Sequence, residues 1–439
     1  MSSPSNLSST SAWSAAAQLV ARWLERRERV DALLENLPPK LGAAERTRAH
    51  GLVLGVVRHH ARLDAATRAW LAHPARPITQ AALLLAGFEL IESSGEMPDG
   101  LAAKIVHHAV EQTKHLASPA EARLVNAIVR KLATSLPAQP VPGRLADAAA
   151  LAEYFSHPVW LVQRWLAQFG AEATRRLLEW NQSPAPVYAR WRAGATAAGE
   201  AAVAVPDFLR PTQWAGFYEV PPGHWREVER LLAAGQVYLQ DPSTRLAVEL
   251  LAPQPGEMVV DLCAAPGGKS VLIADTMGAG RLVAFDLPGV RLDRLKENLA
   301  RTRGVEVALV QGDVLKDAGK LLIEHNLPSN YPAVLLDAPC SNTGVMRHRV
   351  DVKWRLQAGD FARHAEQQRK MLVAAGRLVL PGGRLIYSTC SIDPEENEQV
   401  VAAFVAQTRG LFSRETEAMA WPWESAHDGA AVFRLRRAG

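Results

Sequence analysis

The sequence predicts a chain of three parts: an all-α N-terminal domain, a small α+β domain, and a C-terminal α/β domain built on a doubly wound, mostly parallel sheet. Three observations carry this. Apolar residues recur at helical spacing over roughly the first third of the chain. Near residue 146 the texture changes, and tryptophans and arginines concentrate. From about residue 236, short apolar runs alternate with segments that can form helices. A length of 439 residues also exceeds one ordinary core.

The first domain is expected over residues 12–140. AAQLVARWLE, HGLVLGVVRHH and ARLVNAIVRKL carry the helical period, and Pro38-Pro39, Pro74, Pro77 and Pro98 separate the helices. The Ser-rich start, Met1 to Ser11, is expected to be irregular, with no charged–apolar–small pattern of a signal peptide. A Pro- and Ala-rich stretch from Ser135 to Arg144 suits a linker.

The second domain is expected over residues 146–235. Six of the twelve tryptophans fall there (Trp160, Trp165, Trp180, Trp191, Trp214 and Trp225), interleaved with Arg164, Arg175, Arg176, Arg190, Arg192 and Arg210. Two readings fit this mixture. The rings stack on RNA bases while guanidiniums meet phosphates, or the tryptophans fill a small core that the arginines coat.

The third domain is expected over residues 236–439. MVVDLC, RLVAFD, VALVQGD, PAVLLDAPC and GGRLIYSTC are strand-like, and the last apolar run, Ala430 to Leu435, is expected as an edge strand. No internal repeat is evident.

Composition bounds the function classes. With 48% hydrophobic and 21% charged residues the chain is globular. No apolar run approaches the ~18 residues of a membrane span, so no membrane partner is expected. Three cysteines at distant positions make no disulfide framework, which suits a reducing cytoplasm. A net charge of +4 permits a nucleic-acid partner without requiring one.

Each cysteine sits in a motif: Cys263 in VVDLCAAPGGKS, Cys340 in LLDAPCSNTG, Cys390 in IYSTCSIDPEENE. After MVVDLC, the turn Ala264-Ala265-Pro266-Gly267-Gly268-Lys269 leads into a helix. Paired glycines there let a ligand approach backbone amides. Asp286 ends the next strand, 25 residues after Asp261, and is placed to accept from ribose hydroxyls. Asp313 ends the third and suits an adenine amine. Any one of these acids equally suits a helix cap or a solvated strand end; three at successive strand ends favour a nucleoside. Cys340 and Cys390 follow two further strands. A thiolate adds readily to an electron-poor conjugated carbon such as C6 of a pyrimidine, which makes C5 able to accept a methyl from a sulfonium. Asp337 is placed to hydrogen-bond the ring's N3 edge, and the second thiol to assist breakdown of the adduct.

DLCAAPGGKS, LLDAPCSNTG and YSTCSIDPEENE resemble the signature blocks of RNA 5-methylcytosine methyltransferases that use S-adenosylmethionine. VYLQDPSTRLAVELLAPQPGE is similar to the segment that precedes the donor block. GLVLGVVRHHARLD and ARLVNAIVRKL resemble NusB-type RNA-binding domains. Together these resemble the RsmB (Fmu, Sun) family, which methylates a cytosine of 16S rRNA. The resemblance implies a Rossmann-like class I methyltransferase domain at the C-terminus. It implies S-adenosylmethionine binding by Cys263, Ala264, Ala265, Pro266, Gly267, Gly268 and Lys269, with Asp286, Asp313 and Asp337. It further implies that Cys390 is the nucleophile, that Cys340 promotes product release, and that Asp337 and Lys269 act in the catalytic pocket. DNA cytosine methyltransferases use the cysteine of a Pro-Cys pair instead, so the Ser-Thr-Cys block separates the two classes. A monomeric cytoplasmic enzyme acting on 16S rRNA is expected, against two alternatives: the same chemistry on tRNA, or a non-catalytic RNA-binding assembly factor.

Two departures stand out. Tyr188-Ala-Arg-Trp191 replaces the Arg-Val-Asn usual in relatives, and Asp428-Gly-Ala-Ala431 replaces Asp-Gly-Phe-Phe. His59-His60 and His107-His108 lack the partners of a metal site and are expected in solvent or against RNA.

Overall fold

The computed structural model describes residues 11–93, 100–192 and 204–439. The Ser-rich start lies outside these residues except for Ser11, which is a cap: its hydroxyl accepts from the Ser14 amide at 3.1 Å and opens the helix Ala12–Arg26. Two compact units divide the chain. The first runs to Ser183 and adds the short segment Met346–Ala358; the second holds Pro184–Val345 and Gly359–Gly439.

The first unit is helical. Its centre is the helix Pro77–Glu92, started by a proline whose missing N–H is not needed at that position. Every residue from Ala81 to Leu90 is buried, so the helix is wrapped by neighbours on all sides. The helix Ala43–Arg58 crosses it at a glycine, since a β-carbon on Gly55 would fall 2.1 Å from Cζ of Phe88. Trp13 and Trp23, both fully buried, close the core from the helix Ala12–Arg26.

Met346–Ala358 contributes to this unit from far along the chain. Val350 joins its apolar core. Lys353 donates through Nζ to the Arg58 carbonyl at 2.9 Å, and the Trp354 indole to the Val57 carbonyl at 2.8 Å. Carbonyls at a helix C-terminus have no partner within the helix, so this segment caps Ala43–Arg58. His60 is buried here too, its ring 5.0 Å from Trp23 and 5.3 Å from Trp354. His59 stacks on Phe88 at 5.9 Å. The expectation that this pair faces solvent or RNA is therefore corrected. Burial, aided by nearby cations, pushes both imidazoles down to about 3.

The second unit holds two sheets. The smaller is antiparallel, with β1 (Val187–Trp191), β2 (Arg210–Pro211), β3 (Phe217–Val220) and β4 (Val237–Leu239) in the order β2-β3-β1-β4. The larger has seven strands: β5 (Glu257–Leu262), β6 (Gly280–Asp286), β7 (Val305–Gln311), β8 (Tyr331–Asp337), β9 (Val379–Thr389), β10 (Phe412–Ala420) and β11 (Ala430–Arg437). Their order is β10-β11-β9-β8-β5-β6-β7, and β5 to β9 are parallel. The five strand-like runs of the sequence are thus strands of one sheet. Connections leave β5 toward β6 on one side, while β8 lies on its other side. That switch in direction leaves a crevice at the carboxyl ends of β5 and β8, where no crossover covers it.

One expectation is corrected. β11 is not the edge strand: it pairs with β9 on one side and β10 on the other. Its successive buried residues Ala430 to Phe433 suit a strand covered on both faces, whereas β10 carries the exposed charges of an edge. The division between the two units falls after Ser183, inside the stretch 146–235. The helices Ala148–Tyr154 and Val159–Gln182 belong to the first unit, and β1 pairs with β4 across the expected boundary at 235. The two readings of the aromatic and basic residues divide accordingly. Trp165 is core, Trp225 is 48% exposed, and Arg190 and Arg192 are buried. Both arginines clasp Asp275 on the helix Gly268–Met277, each at 2.8 Å, and so fasten the small sheet to the large one.

Candidate active site

The turn after β5 is shaped by backbone conformations that side chains resist. Gly267 has φ +107°, in the left-handed region, and a β-carbon there would press on Leu295 at 3.0 Å. The helix Gly268–Met277 begins at the next residue, leaving its first amides without intrahelical acceptors. Asn298 holds the turn from outside, donating to the Pro266 carbonyl at 2.8 Å. Asp286, at the end of β6, accepts from the Ala265 amide at 2.7 Å and is buried against the turn. Asp313 lies two residues past the end of β7 and accepts from the Leu315 amide at 3.0 Å. A glycine cradle with free helix amides, flanked by acids at two neighbouring strand ends, fits a ligand with ribose hydroxyls and an anionic group. Cys263 is beside it. Burial first, then Asp286, Asp337 and Asp261, push its thiol well above the usual range, so it stays protonated and inert.

Lys269 and Asp337 meet in the crevice, Nζ to Oδ2 at 2.7 Å. Burial works against the lysine's charge, but the carboxylate of Asp337 outweighs it and holds the ammonium above its ordinary value. Asp261 lies beneath them, fully buried in β5, and accepts from the Ser270 hydroxyl at 2.5 Å. Burial, with Asp337 and Asp286 nearby, pushes it up to about 7 against the pull of the Ser270 hydrogen bond and of Lys269. In the sequence Asp261 serves only as a spacing marker; an acid inside the apolar run MVVDLC was the signal for more.

The two other cysteines come together at the same end of the sheet. Cys340 follows β8, Cys390 follows β9, and their sulfurs are 3.2 Å apart. Cys340 is buried; Cys390 is partly open. The neighbouring thiol and burial push Cys340 well above the ordinary thiol range, which keeps it protonated. Asn342, at φ +62°, bridges the pair: its Nδ2 donates to the Cys340 carbonyl at 2.7 Å and its Oδ1 lies 3.4 Å from the Cys390 sulfur.

Behind the thiols is a buried polar network that sequence reasoning missed. Thr343 donates to Asp393 at 2.6 Å, Ser391 to Glu396 at 2.6 Å, and Thr389 to Asn397 at 2.6 Å. These residues stand in the quoted blocks SNTG and STCSIDPEEN. Their signal was density: six small or acidic polar residues around two cysteines at the ends of apolar strands.

Comparisons with known proteins identify the family of the chain. Residues 248–426 match the family described as 16S rRNA methyltransferase RsmB/F, and residues 10–134 match the NusB family. The ribosomal RNA small subunit methyltransferase B of Sodalis glossinidius is 34% identical over 93% of this chain and 92% of its own. The protein of the same name from Vibrio cholerae is 33% identical over 85% of each chain. A solved methyltransferase homolog from Pyrococcus horikoshii shares the fold, with a TM-score of 0.53 at 23% identity, covering 66% of this chain and 98% of that one. Identity at this level over nearly the whole length, with a family match to each of its two principal parts, makes this chain a member of the RsmB family of ribosomal RNA small subunit methyltransferases.

Proposed function

We infer that the protein methylates C5 of a cytosine in 16S rRNA, with S-adenosylmethionine as donor and a covalent link between Cys390 and C6 of the base. The observation that carries this is the pair of free thiols 3.2 Å apart, beside the Lys269–Asp337 pair and one strand from a glycine cradle. The donor supplies an electrophilic methyl on a sulfonium sulfur. Cys263 to Lys269 with Asp286 and Asp313 would hold it, the two acids toward its ribose and adenine.

The partly open thiol of Cys390 is the nucleophile. Its sulfur bonds to C6 as its proton passes to N3 of the ring, the ring's electrons become available at C5, and C5 would take the methyl from the donor. Asp337, its charge balanced by Lys269, accepts a hydrogen bond from the N3–H formed in this step and so stabilises the adduct. The C5 proton then passes to solvent water, the C6–sulfur bond breaks with its electron pair on sulfur, N3 gives back its proton, and the aromatic ring returns. Cys340, protonated and in contact with the departing sulfur, delivers its proton as that bond breaks. Neither sulfur reaches a stacked base, so the target cytosine is unpaired or turned out of its helix.

The NusB-like part, residues 12–140, serves to bind rRNA, with residues 146–235 adding contacts through exposed groups such as Trp225. Among the described residues no helix is long and apolar enough to cross a membrane, and we place the enzyme in the cytoplasm as a monomer. Mapping 5-methylcytosine in rRNA and tRNA from cells lacking the protein tests the proposal. Loss of one 16S site supports it; loss of a tRNA site moves the substrate, and no loss makes the protein an assembly factor.

A further inference from the structure

The β8–β9 ladder ends at Asp337 opposite Ser388, with one further bond from the Ala338 amide to the Ser388 carbonyl at 2.8 Å. Both reactive cysteines lie beyond it, where no ladder fixes the distance between the two chains. Asn342 and the bond from the Gly344 amide to the Cys390 carbonyl join the two segments directly, and holding the sulfurs 3.2 Å apart further requires that the flanks of both be anchored.

The buried carboxylate of Glu396 occupies that place. One oxygen accepts from the Ser341 amide at 2.9 Å and from Gln368 at 3.1 Å; the other accepts from the hydroxyls of Ser341 and Ser391. Gln368 also donates to the Pro339 carbonyl at 2.8 Å. Ser341 after Cys340 and Ser391 after Cys390 therefore end on a single carboxylate, and Pro339 before Cys340 joins it through Gln368. Glu396 is itself fixed, fully buried, with its carbonyl accepting from the Tyr387 hydroxyl of β9 at 2.6 Å.

We propose that Glu396 is a positioning residue for methyl transfer, setting the separation of the Cys340 and Cys390 thiols by gathering the flanks of both. The proposal rests on the roles given to the cysteines above. Glu396 touches neither sulfur and acts through Ser341, Ser391 and Gln368. Removing the carboxylate takes away an acceptor shared by four buried donors and leaves the Ser341 amide with none, a loss large enough to let the loops part. The step most sensitive to the separation is product release, which needs both sulfurs, whereas the first attack needs only Cys390.

Phenylarsine oxide measures the separation without catalysis, because its arsenic bonds two adjacent thiols and its oxygen leaves as water. Titrated into the full-length protein and followed by intact mass with peptide mapping, it should cross-link Cys340 to Cys390 in the wild type. Glu396→Ala should bind it about tenfold more weakly or worse, and Glu396→Gln, which keeps one acceptor oxygen, should fall between. In single turnovers on 16S RNA, Glu396→Ala should form the covalent adduct but release product about tenfold more slowly, with donor affinity unchanged. Wild-type arsenical binding and release in a folded Glu396→Ala protein would overturn the proposal. Should that variant fail to fold, Ser391→Ala, which removes one hydroxyl from the carboxylate, should shift both readouts in the same direction; no shift overturns the proposal equally. If Cys340→Ala and Cys390→Ala show no contrast in adduct formation, the cysteine roles fail, and the arsenical result still decides the place of Glu396.

Discussion

The Gly344 amide donates to the Cys390 carbonyl at 2.9 Å, and a β-carbon on Gly344 would lie 2.7 Å from that same oxygen. The opposite side offers no room, since Cα of Gly429 would be 2.8 Å away. Both obstacles are backbone, so neither yields by a rotamer change. Gly344→Ala should displace Cys390 and lower methyl transfer about tenfold or more, while donor binding stays at the wild-type value. Turnover and calorimetry on one preparation check the two halves.

The two cysteines separate by what remains bound to RNA after denaturation. Cys390→Ala should abolish both methylation and the covalent adduct, because the nucleophile acts first. Cys340→Ala should attack and methylate but accumulate the adduct, which a denaturing gel with labelled RNA displays. An adduct in Cys390→Ala instead would reverse the roles.

The role proposed for Asp286 at the donor's ribose comes with a structural one, which shapes its test. Its Oδ2 accepts from the Ala265 amide at 2.7 Å and so also holds the donor turn. Asp286→Ala should weaken S-adenosylmethionine binding by ~1–3 kcal/mol, and Asp286→Asn, which still accepts one hydrogen bond, by less. Unchanged affinity in a folded Asp286→Ala protein would move the donor elsewhere.

Stability should depend on pH in opposite senses in the two units. Asp261 has a folded value of about 7, above its unfolded value, so the folded state keeps a proton that the unfolded chain releases. The stability this adds is complete below about pH 4 and lost as pH rises through about 7, up to about 4 kcal/mol. Asp261→Asn should therefore gain on the wild type across that window in urea midpoints, then keep a constant lead. His59 and His60, held down to about 3, work the other way. Their contribution is present above about pH 6.5 and lost as pH falls toward about 3. Emission of Trp23, 5.0 Å from His60, should report acid unfolding of the first unit, delayed in His60→Gln.

Much of the protein was legible in order along the chain. Period and alternation marked the helices of the first unit and five parallel strands, because side-chain spacing follows directly from backbone geometry. Gly267, Asp286, Asp313, Asp337, Cys340 and Cys390 stood out because strand ends and glycine turns are local features, and their family blocks are contiguous in sequence. Boundaries were less legible. Met346–Ala358 packs with helices nearly 300 residues earlier in the chain, through Val350 and the 2.9 Å bond from Lys353 to Arg58. No periodicity within thirteen residues discloses which core they complete.

By itself, then, the sequence determined the classes of element, the family and the chemical types gathered at the strand ends. Tertiary structure decided which of those groups meet: Cys340 with Cys390, Arg190 and Arg192 with Asp275, Glu396 with the flanks of both thiols, and β11 between β9 and β10 rather than at the edge. The reason is physical. Propensity and pattern act over a few residues, whereas hydrogen bonds between buried polar groups are chosen only when distant segments pack and each donor must find an acceptor away from water.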